Sequence, residues 1–174
     1  MVESLARSFP PLANAQARVL ILGSMPGQAS LAATQYYAHA RNAFWPIMGA
    51  LVGAGPELPY PQRLQRLQAA GIALWDVLAE CERPGSLDAA IVAASVRAND
   101  FAGLLPELPA LRAIAFNGSA AEQAFCRHVL PALPGLRVDL LGLPSTSPAH
   151  AARSLAQKLA EWQRLLNYLR EESV

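Results

Sequence analysis

Four short runs of the chain are almost continuously apolar rather than apolar at alternate positions: Arg18–Leu22, Ile72–Leu78, Arg112–Phe116 and Arg137–Leu141. Unbroken runs of this kind, rich in β-branched and aromatic residues, predict strands buried on both faces of a parallel sheet. Between them the spacing turns helical. Phe44–Val52 is apolar nearly all round, with Pro46 in the first turn, where proline is tolerated. Residues 61–70 carry Leu64 and Leu67 and stop at Gly71, a C-terminal cap. Residues 100–105 give a short turn of helix. Residues 119–130 open with Ser119 as cap and Glu122 three residues on, the pattern of a capping box. The last helix is predicted from Ser147 as cap and Pro148 at the first helical position. Its residues Leu155, Leu159, Trp162, Leu166 and Leu169 form a stripe for packing on the sheet. Strand alternating with helix predicts an α/β fold, a three-layer α/β/α sandwich around a short, mostly parallel four-stranded sheet. No repeat or linker interrupts it, so residues 1–174 are expected to form a single domain.

The loops after two of these runs carry the strongest functional signal. Gly23-Ser24-Met25-Pro26-Gly27 follows the first, and Pro144-Ser145-Thr146-Ser147-Pro148 follows the last by way of Gly142 and Leu143. In a parallel α/β sheet the loops beyond the strand C-termini converge on one crevice, where ligands bind. The two loops therefore read as two jaws of one site. The first is not a Walker loop, since no Gly-Lys-Ser/Thr follows, nor a dinucleotide fingerprint, since the glycine spacing is wrong.

Downstream of the first loop, Tyr36 and Tyr37 offer flat faces, with His39, Arg41 and Asn42 supplying polar groups close by. Aromatic faces beside amide and guanidinium groups suit an extruded nucleobase, stacked on its face and hydrogen-bonded along its edge. Phe44 and Trp45 are assigned to the core instead, while Tyr36 and Tyr37 suit either place. Asp76 interrupts an apolar strand near its end and either reaches the crevice or caps the next turn. Asn117 ends the third run and is placed equivalently, at the crevice or in a simple turn.

Composition narrows the field. A hydrophobic share of 53% with 16% charged residues describes a compact globule. The formal charge of +1 means that any basic face is local. Cys81 and Cys126 are too few for a disulfide framework and are read as buried thiols. His39, His128 and His150 are scattered, with His128 expected at the surface, and no metal is expected. The N-terminal stretch lacks the long apolar core of a signal peptide or membrane span, so a cytoplasmic location without membrane association is expected.

Taken together, these residues resemble the uracil-DNA glycosylase superfamily from Arg18 onward. The first loop with Tyr37-Ala38-His39-Ala40-Arg41-Asn42-Ala43-Phe44-Trp45 is similar to motif 1 of the mismatch-specific branch, and Leu143-Pro144-Ser145-Thr146-Ser147-Pro148 to motif 2. Gln35-Tyr36-Tyr37 and Leu74-Trp75-Asp76-Val77-Leu78 bring the chain nearest to the hypoxanthine-DNA glycosylase branch, which acts on deoxyinosine. Three departures bear on substrate. Met25 stands where mismatch-specific enzymes place a water-positioning Asn. Leu143 replaces the His that opens motif 2 in the classical uracil enzymes, and Asp76 replaces their uracil-reading Asn.

The resemblance implies Asn42 and Asn117 as catalytic residues, and Met25, Tyr36, Tyr37 and Asp76 as base-binding. It implies Gly23, Ser24, Pro26, Gly27, Pro144, Ser145, Thr146, Ser147 and His150 as DNA-binding. A phosphate site at the start of the last helix, with Ser145 and Ser147, is expected from the helix N-terminus. Lys158 is the only lysine, and its place on the last helix argues against a lyase with an amine nucleophile. The expected function is monofunctional, cofactor-free excision of a deaminated base from double- or single-stranded DNA by a monomer. A mismatch-type uracil or thymine glycosylase and a catalytically silent damaged-DNA-binding module stand as alternatives.

Overall fold

The computed structural model describes residues 5–170; residues 1–4 and 171–174, the outer ends of the expected domain, lie outside them. In chain order the elements are β1 (Leu5–Arg7), β2 (Val19–Gly23), α1 (Gln28–Ala33), α2 (Phe44–Val52), α3 (Tyr60–Ala69), β3 (Ile72–Asp76) and β4 (Leu78–Glu82). There follow β5 (Arg97–Ala98), α4 (Phe101–Leu104), β6 (Ala113–Asn117), α5 (Ser119–His128), β7 (Asp139–Leu143), α6 (Leu155–Trp162) and α7 (Leu166–Leu169).

The central sheet has the order β3-β2-β6-β7, and all three pairings are parallel. The chain moves from β2 outward to β3, then returns to lay β6 on the other side of β2. That reversal creates a switch point between β2 and β6, where a crevice opens beyond the strand ends.

Side-chain alternation along these strands builds two cores. Leu20, Leu22, Trp75, Ile114 and Phe116 face one way and pack with Phe101 of α4 and Phe125 of α5. Val19, Ile21, Leu74, Ala115 and Leu141 face the other way and pack with Phe44, Trp45, Leu67 and Trp162 from α2, α3 and α6. These faces are the two outer layers of the expected sandwich.

Several boundaries differ from the sequence reading. The second run breaks at Val77, whose N–H donates to the Gly23 carbonyl at 2.8 Å. Beyond it the chain leaves the parallel sheet and forms β4 of a separate antiparallel sheet, β1-β4-β5. The Asn99 amide holds the break, donating to the carbonyls of Asp76 (2.8 Å) and Leu78 (3.3 Å). The last strand lies two residues later than expected, with Leu143 paired to Asn117. Neither α1 nor the small sheet is anticipated, because two- and three-residue strands and a six-residue helix carry too little periodic signal.

The capping expectations need two corrections. Ser119 does not cap α5: Gly118, at φ +94°, turns the chain directly from β6 into the helix, so Ser119 already lies inside it. Ser147 does not cap the last helix either. That helix starts at Leu155 behind Ser154, which forms a complete capping box with Gln157. Position 150, three residues after Ser147, is His and cannot close such a box, whereas Ser154-Leu155-Ala156-Gln157 can. The later start also leaves Leu155 53% exposed, outside the core stripe, while Trp162 and Leu165 are fully buried. Cys81 is buried as expected, but Cys126 lies on the exposed side of α5. Among the described residues no helix is long and apolar enough to cross a membrane.

Candidate active site

A cleft of about 490 Å³ opens at the switch point. Its floor comes from strand ends. Asp76 ends β3 and Asn117 ends β6, on either side of Gly23 at the end of β2. One wall is the loop Gly23–Gly27; Tyr36, Tyr37, His39, Arg41 and Asn42 add a second, and Ser145–Ala149 a third. The structure thus brings together most of the residues assigned from sequence. Pro144 and His150 are the exceptions: the Pro144 carbonyl accepts from Trp162 Nε1 at 2.9 Å, and His150 is exposed outside the cleft lining.

Asp76 is 4% exposed, and its Oδ2 has no hydrogen-bond partner. Burial raises its pKa to about 7; Arg83 pulls it down and Asp88 pushes it up. An acceptor of this kind, desolvated yet unpaired, is costly to the fold unless a ligand donor completes it. Gly23 permits the approach: a Cβ there would lie 2.6 Å from Asp76 Oδ1 and 3.3 Å from the Tyr37 hydroxyl.

Tyr37 adopts φ +55°, a conformation uncommon for a residue with a side chain. Its ring stacks on Phe44 with centroids 4.0 Å apart. Burial, with the charge of Asp76, holds the Tyr37 hydroxyl well above its ordinary pKa, and a hydrogen bond with Asn117 works the other way. Tyr36 is mostly buried; its hydroxyl donates to the Pro10 carbonyl at 3.0 Å, and desolvation raises its pKa too. Phe44 and Trp45 belong to the core, as assigned.

Asn42 sits just before α2. Its Oδ1 accepts from the Phe44 N–H at 2.9 Å, an Asx turn that fixes the side chain. Asn117 is joined to Thr146 at both ends of its amide. Its Nδ2 donates to Thr146 Oγ1 and its Oδ1 accepts from the Thr146 N–H, each at 2.9 Å. The Thr146 carbonyl in turn accepts from the Ala43 N–H at 2.9 Å. One buried threonine therefore fastens the loop after β7 to the end of β6 and to the residue beside Asn42.

The expected phosphate site at a helix start is absent, because residues 148–153 form turns and bends and α6 begins at Leu155. Ser145 Oγ instead accepts from the Ser147 N–H, and Ser147 Oγ from the Ala149 N–H, both at 3.2 Å. Arg153 pairs with Glu161 at 3.5 Å. Lys158 is 5% exposed, with its pKa lowered by desolvation; its Nζ donates to the Ser147 carbonyl at 3.4 Å and it does not line the cleft.

The segment between β4 and β5 supplies cleft-lining and loop-holding residues that sequence reasoning missed. Arg83, 3% exposed, donates to the carbonyls of Pro26 (2.6 Å), Met25 (3.4 Å) and Gly85 (3.0 Å). Ser24 Oγ donates to Asp88 Oδ1 at 2.5 Å, and the Gln28 N–H to Ser86 Oγ at 2.9 Å. Met25 itself is 7% exposed and packs into the core under the loop while lining the cleft. The only available sequence cue was an arginine ahead of Pro84-Gly85-Ser86.

A buried carboxylate with an unpartnered oxygen, two asparagines and two tyrosines thus share one cleft at the switch point. The chain belongs to the uracil DNA glycosylase superfamily, whose model matches residues 10–170. It is 33% identical over 165 residues to the hypoxanthine DNA glycosylase of Methanosarcina acetivorans, covering 94% of this chain and 99% of that protein. It is 32% identical to the hypoxanthine DNA glycosylase of Methanosarcina barkeri, over 90% of this chain and 94% of that one. A solution NMR structure of a candidate uracil DNA glycosylase from Methanosarcina acetivorans superposes with a TM-score of 0.78 at 34% identity, covering 95% of this chain and 98% of that one.

Proposed function

We propose that this chain is a monofunctional DNA glycosylase that hydrolyses the N-glycosidic bond of a deaminated base, with hypoxanthine preferred. The observation that carries the choice of a deaminated base over adenine is the unpartnered Oδ2 of buried Asp76 on the cleft floor. The preference for hypoxanthine over uracil, whose N3–H would also donate, is supported by the two relatives named hypoxanthine DNA glycosylase. Hypoxanthine, the deamination product of adenine, presents an N1–H donor where adenine has a bare acceptor. A carboxylate accepts from the first and repels the lone pair of the second. A desolvated acceptor left unpaired by the wrong base discriminates strongly, by about 10⁴-fold in favourable cases.

In the reaction the C1′–N9 bond breaks and its electron pair leaves with the base, while water adds to C1′ of the deoxyribose. The proton that the water gives up balances the one the departing base takes. Asn42, fixed by its Asx turn, holds the attacking water. Asn117 assists by holding Thr146, and through it the loop that closes the cleft over the target nucleotide. Tyr37, stacked on Phe44, offers its face to the base, and Met25 fills the apolar side of the pocket. Gly23, Ser24, Pro26 and Gly27 on one side, and Ser145, Thr146 and Ser147 on the other, meet the DNA backbone. Lys158, turned to Ser147 outside the cleft, has no part as a nucleophile, which fits release of an abasic site without strand scission.

The test is a set of matched duplexes carrying one deoxyinosine, deoxyuridine or deoxyxanthosine, treated with alkali after incubation with the protein. The reading expects strand scission at deoxyinosine and little at deoxyuridine. Equal or greater scission at deoxyuridine would replace the hypoxanthine assignment with a uracil one.

A further inference from the structure

Leu87 is 60% exposed, the most exposed large apolar side chain among the described residues, and it lines the cleft. It is not at a loose loop tip. Its neighbours on both sides are tied to the segment after β2, Ser86 by the N–H of Gln28, the first residue of α1, at 2.9 Å and Asp88 by the Ser24 hydroxyl at 2.5 Å. Four residues earlier Arg83 grips the Pro26 carbonyl at 2.6 Å. Leu87 has extended backbone, and a turn of 3₁₀-helix at Asp88–Ala90 follows directly. A leucine has thus been fixed in water at the mouth of the cleft, where folding gains nothing from it.

Extruding a base from a duplex leaves a gap in the stack, and an apolar side chain inserted there offsets the lost stacking. The jaw from the β7 side, Ser145-Thr146-Ser147-Pro148-Ala149, offers only the shorter Pro148 and Ala149 as apolar side chains. We propose that Leu87 is the wedge that enters the base stack when the target nucleotide turns into the cleft. The inference rests on the glycosylase reading above and adds to it the segment that engages the duplex, which lies outside both loops read from sequence. Arg83, Ser86 and Asp88 are then positioning residues that hold the wedge in register with the pocket.

The experiment is single-turnover excision from paired substrates, one duplex and one single-stranded, each with one deoxyinosine. Leu87→Ala is expected to slow duplex excision about tenfold or more and to slow single-strand excision much less, because a single strand has no stack to hold open. Leu87→Met restores most of the duplex rate. Val92→Ala, at a position 42% exposed and outside the cleft lining, changes neither rate. A 2-aminopurine beside the deoxyinosine adds a readout free of chemistry: its fluorescence rises when wild-type protein opens the stack, and rises less with Leu87→Ala. Equal effects on both substrates, or no effect on duplex, would overturn the wedge while leaving the glycosylase reading in place. Failure of the wild type to act on either substrate would overturn both.

Discussion

Asn117 and Thr146 are joined by two hydrogen bonds of 2.9 Å, side chain to side chain and backbone N–H to side chain. Thr146 is 1% exposed, so Asn117→Ala leaves its N–H and hydroxyl without partners and without water. Each orphaned group costs about 1–3 kcal/mol. The expected result is a loss of about 2 kcal/mol or more in denaturant unfolding, together with a fall in kcat that exceeds any change in DNA affinity. Thr146→Val, which keeps the backbone bond and the shape, should cost less.

Burial brings the Asp76 carboxyl close to neutral pH, lifting it from an ordinary 3.8 to about 7. Between those values the unfolded chain has lost a proton that the native protein keeps. Stability therefore falls as pH rises through that window and levels off above it. Asp76→Asn removes the loss and should stabilise the protein above about pH 7 by a few kcal/mol, read as a shift in the urea midpoint. The same variant should lose hypoxanthine excision by about tenfold, because a neutral amide oxygen accepts from N1–H more weakly than a carboxylate does. Wild-type excision should rise as pH passes about 7 and then plateau.

Gly23 is constrained by what faces it. A methyl group there would meet Asp76 Oδ1 at 2.6 Å and the Tyr37 hydroxyl at 3.3 Å, so Gly23→Ala displaces both from the cleft floor. Overpacking of this kind costs about 1–3 kcal/mol. Excision should fall at least tenfold in kcat/KM, while far-ultraviolet circular dichroism stays unchanged.

Arg83 holds three carbonyls, two of them in the loop after β2. Arg83→Met should destabilise by about 2 kcal/mol, and Arg83→Lys by less, since an ammonium keeps the charge but not the fork. Hydrogen exchange would show the effect as faster exchange at Gly23–Gly27 in both variants.

The parallel sheet was legible because β2, β3 and β6 are buried on both faces and so read as continuous apolar runs, whereas β7, with Asp139, Leu140 and Gly142 exposed, was placed two residues early. The crevice followed from where Gly23, Asp76 and Asn117 fall at strand ends. What escaped reading was carried by single polar side chains acting over long separations. Asn99 bends the chain after Asp76, and Arg83 reaches back to Pro26; neither leaves a periodic trace. The helix start at Ser154 was readable from its capping box and was masked by the equally plausible Ser147-Pro148 pair. Asn117 was placed correctly in the cleft, but its pair of hydrogen bonds to Thr146, 29 positions further along the chain, depends on the intervening segment folding back, which no local pattern reveals.

The most direct test of the account is Asn42→Ser, assayed for excision and DNA binding on the same deoxyinosine duplex. Serine keeps an acceptor for the Phe44 N–H, so the start of α2 is preserved, but it is too short to hold the attacking water as well. The account predicts single-turnover excision reduced about a hundredfold or more, with affinity for the duplex essentially unchanged. Wild-type binding without excision, or an Asn42→Ser variant that cleaves like the wild type, would contradict it.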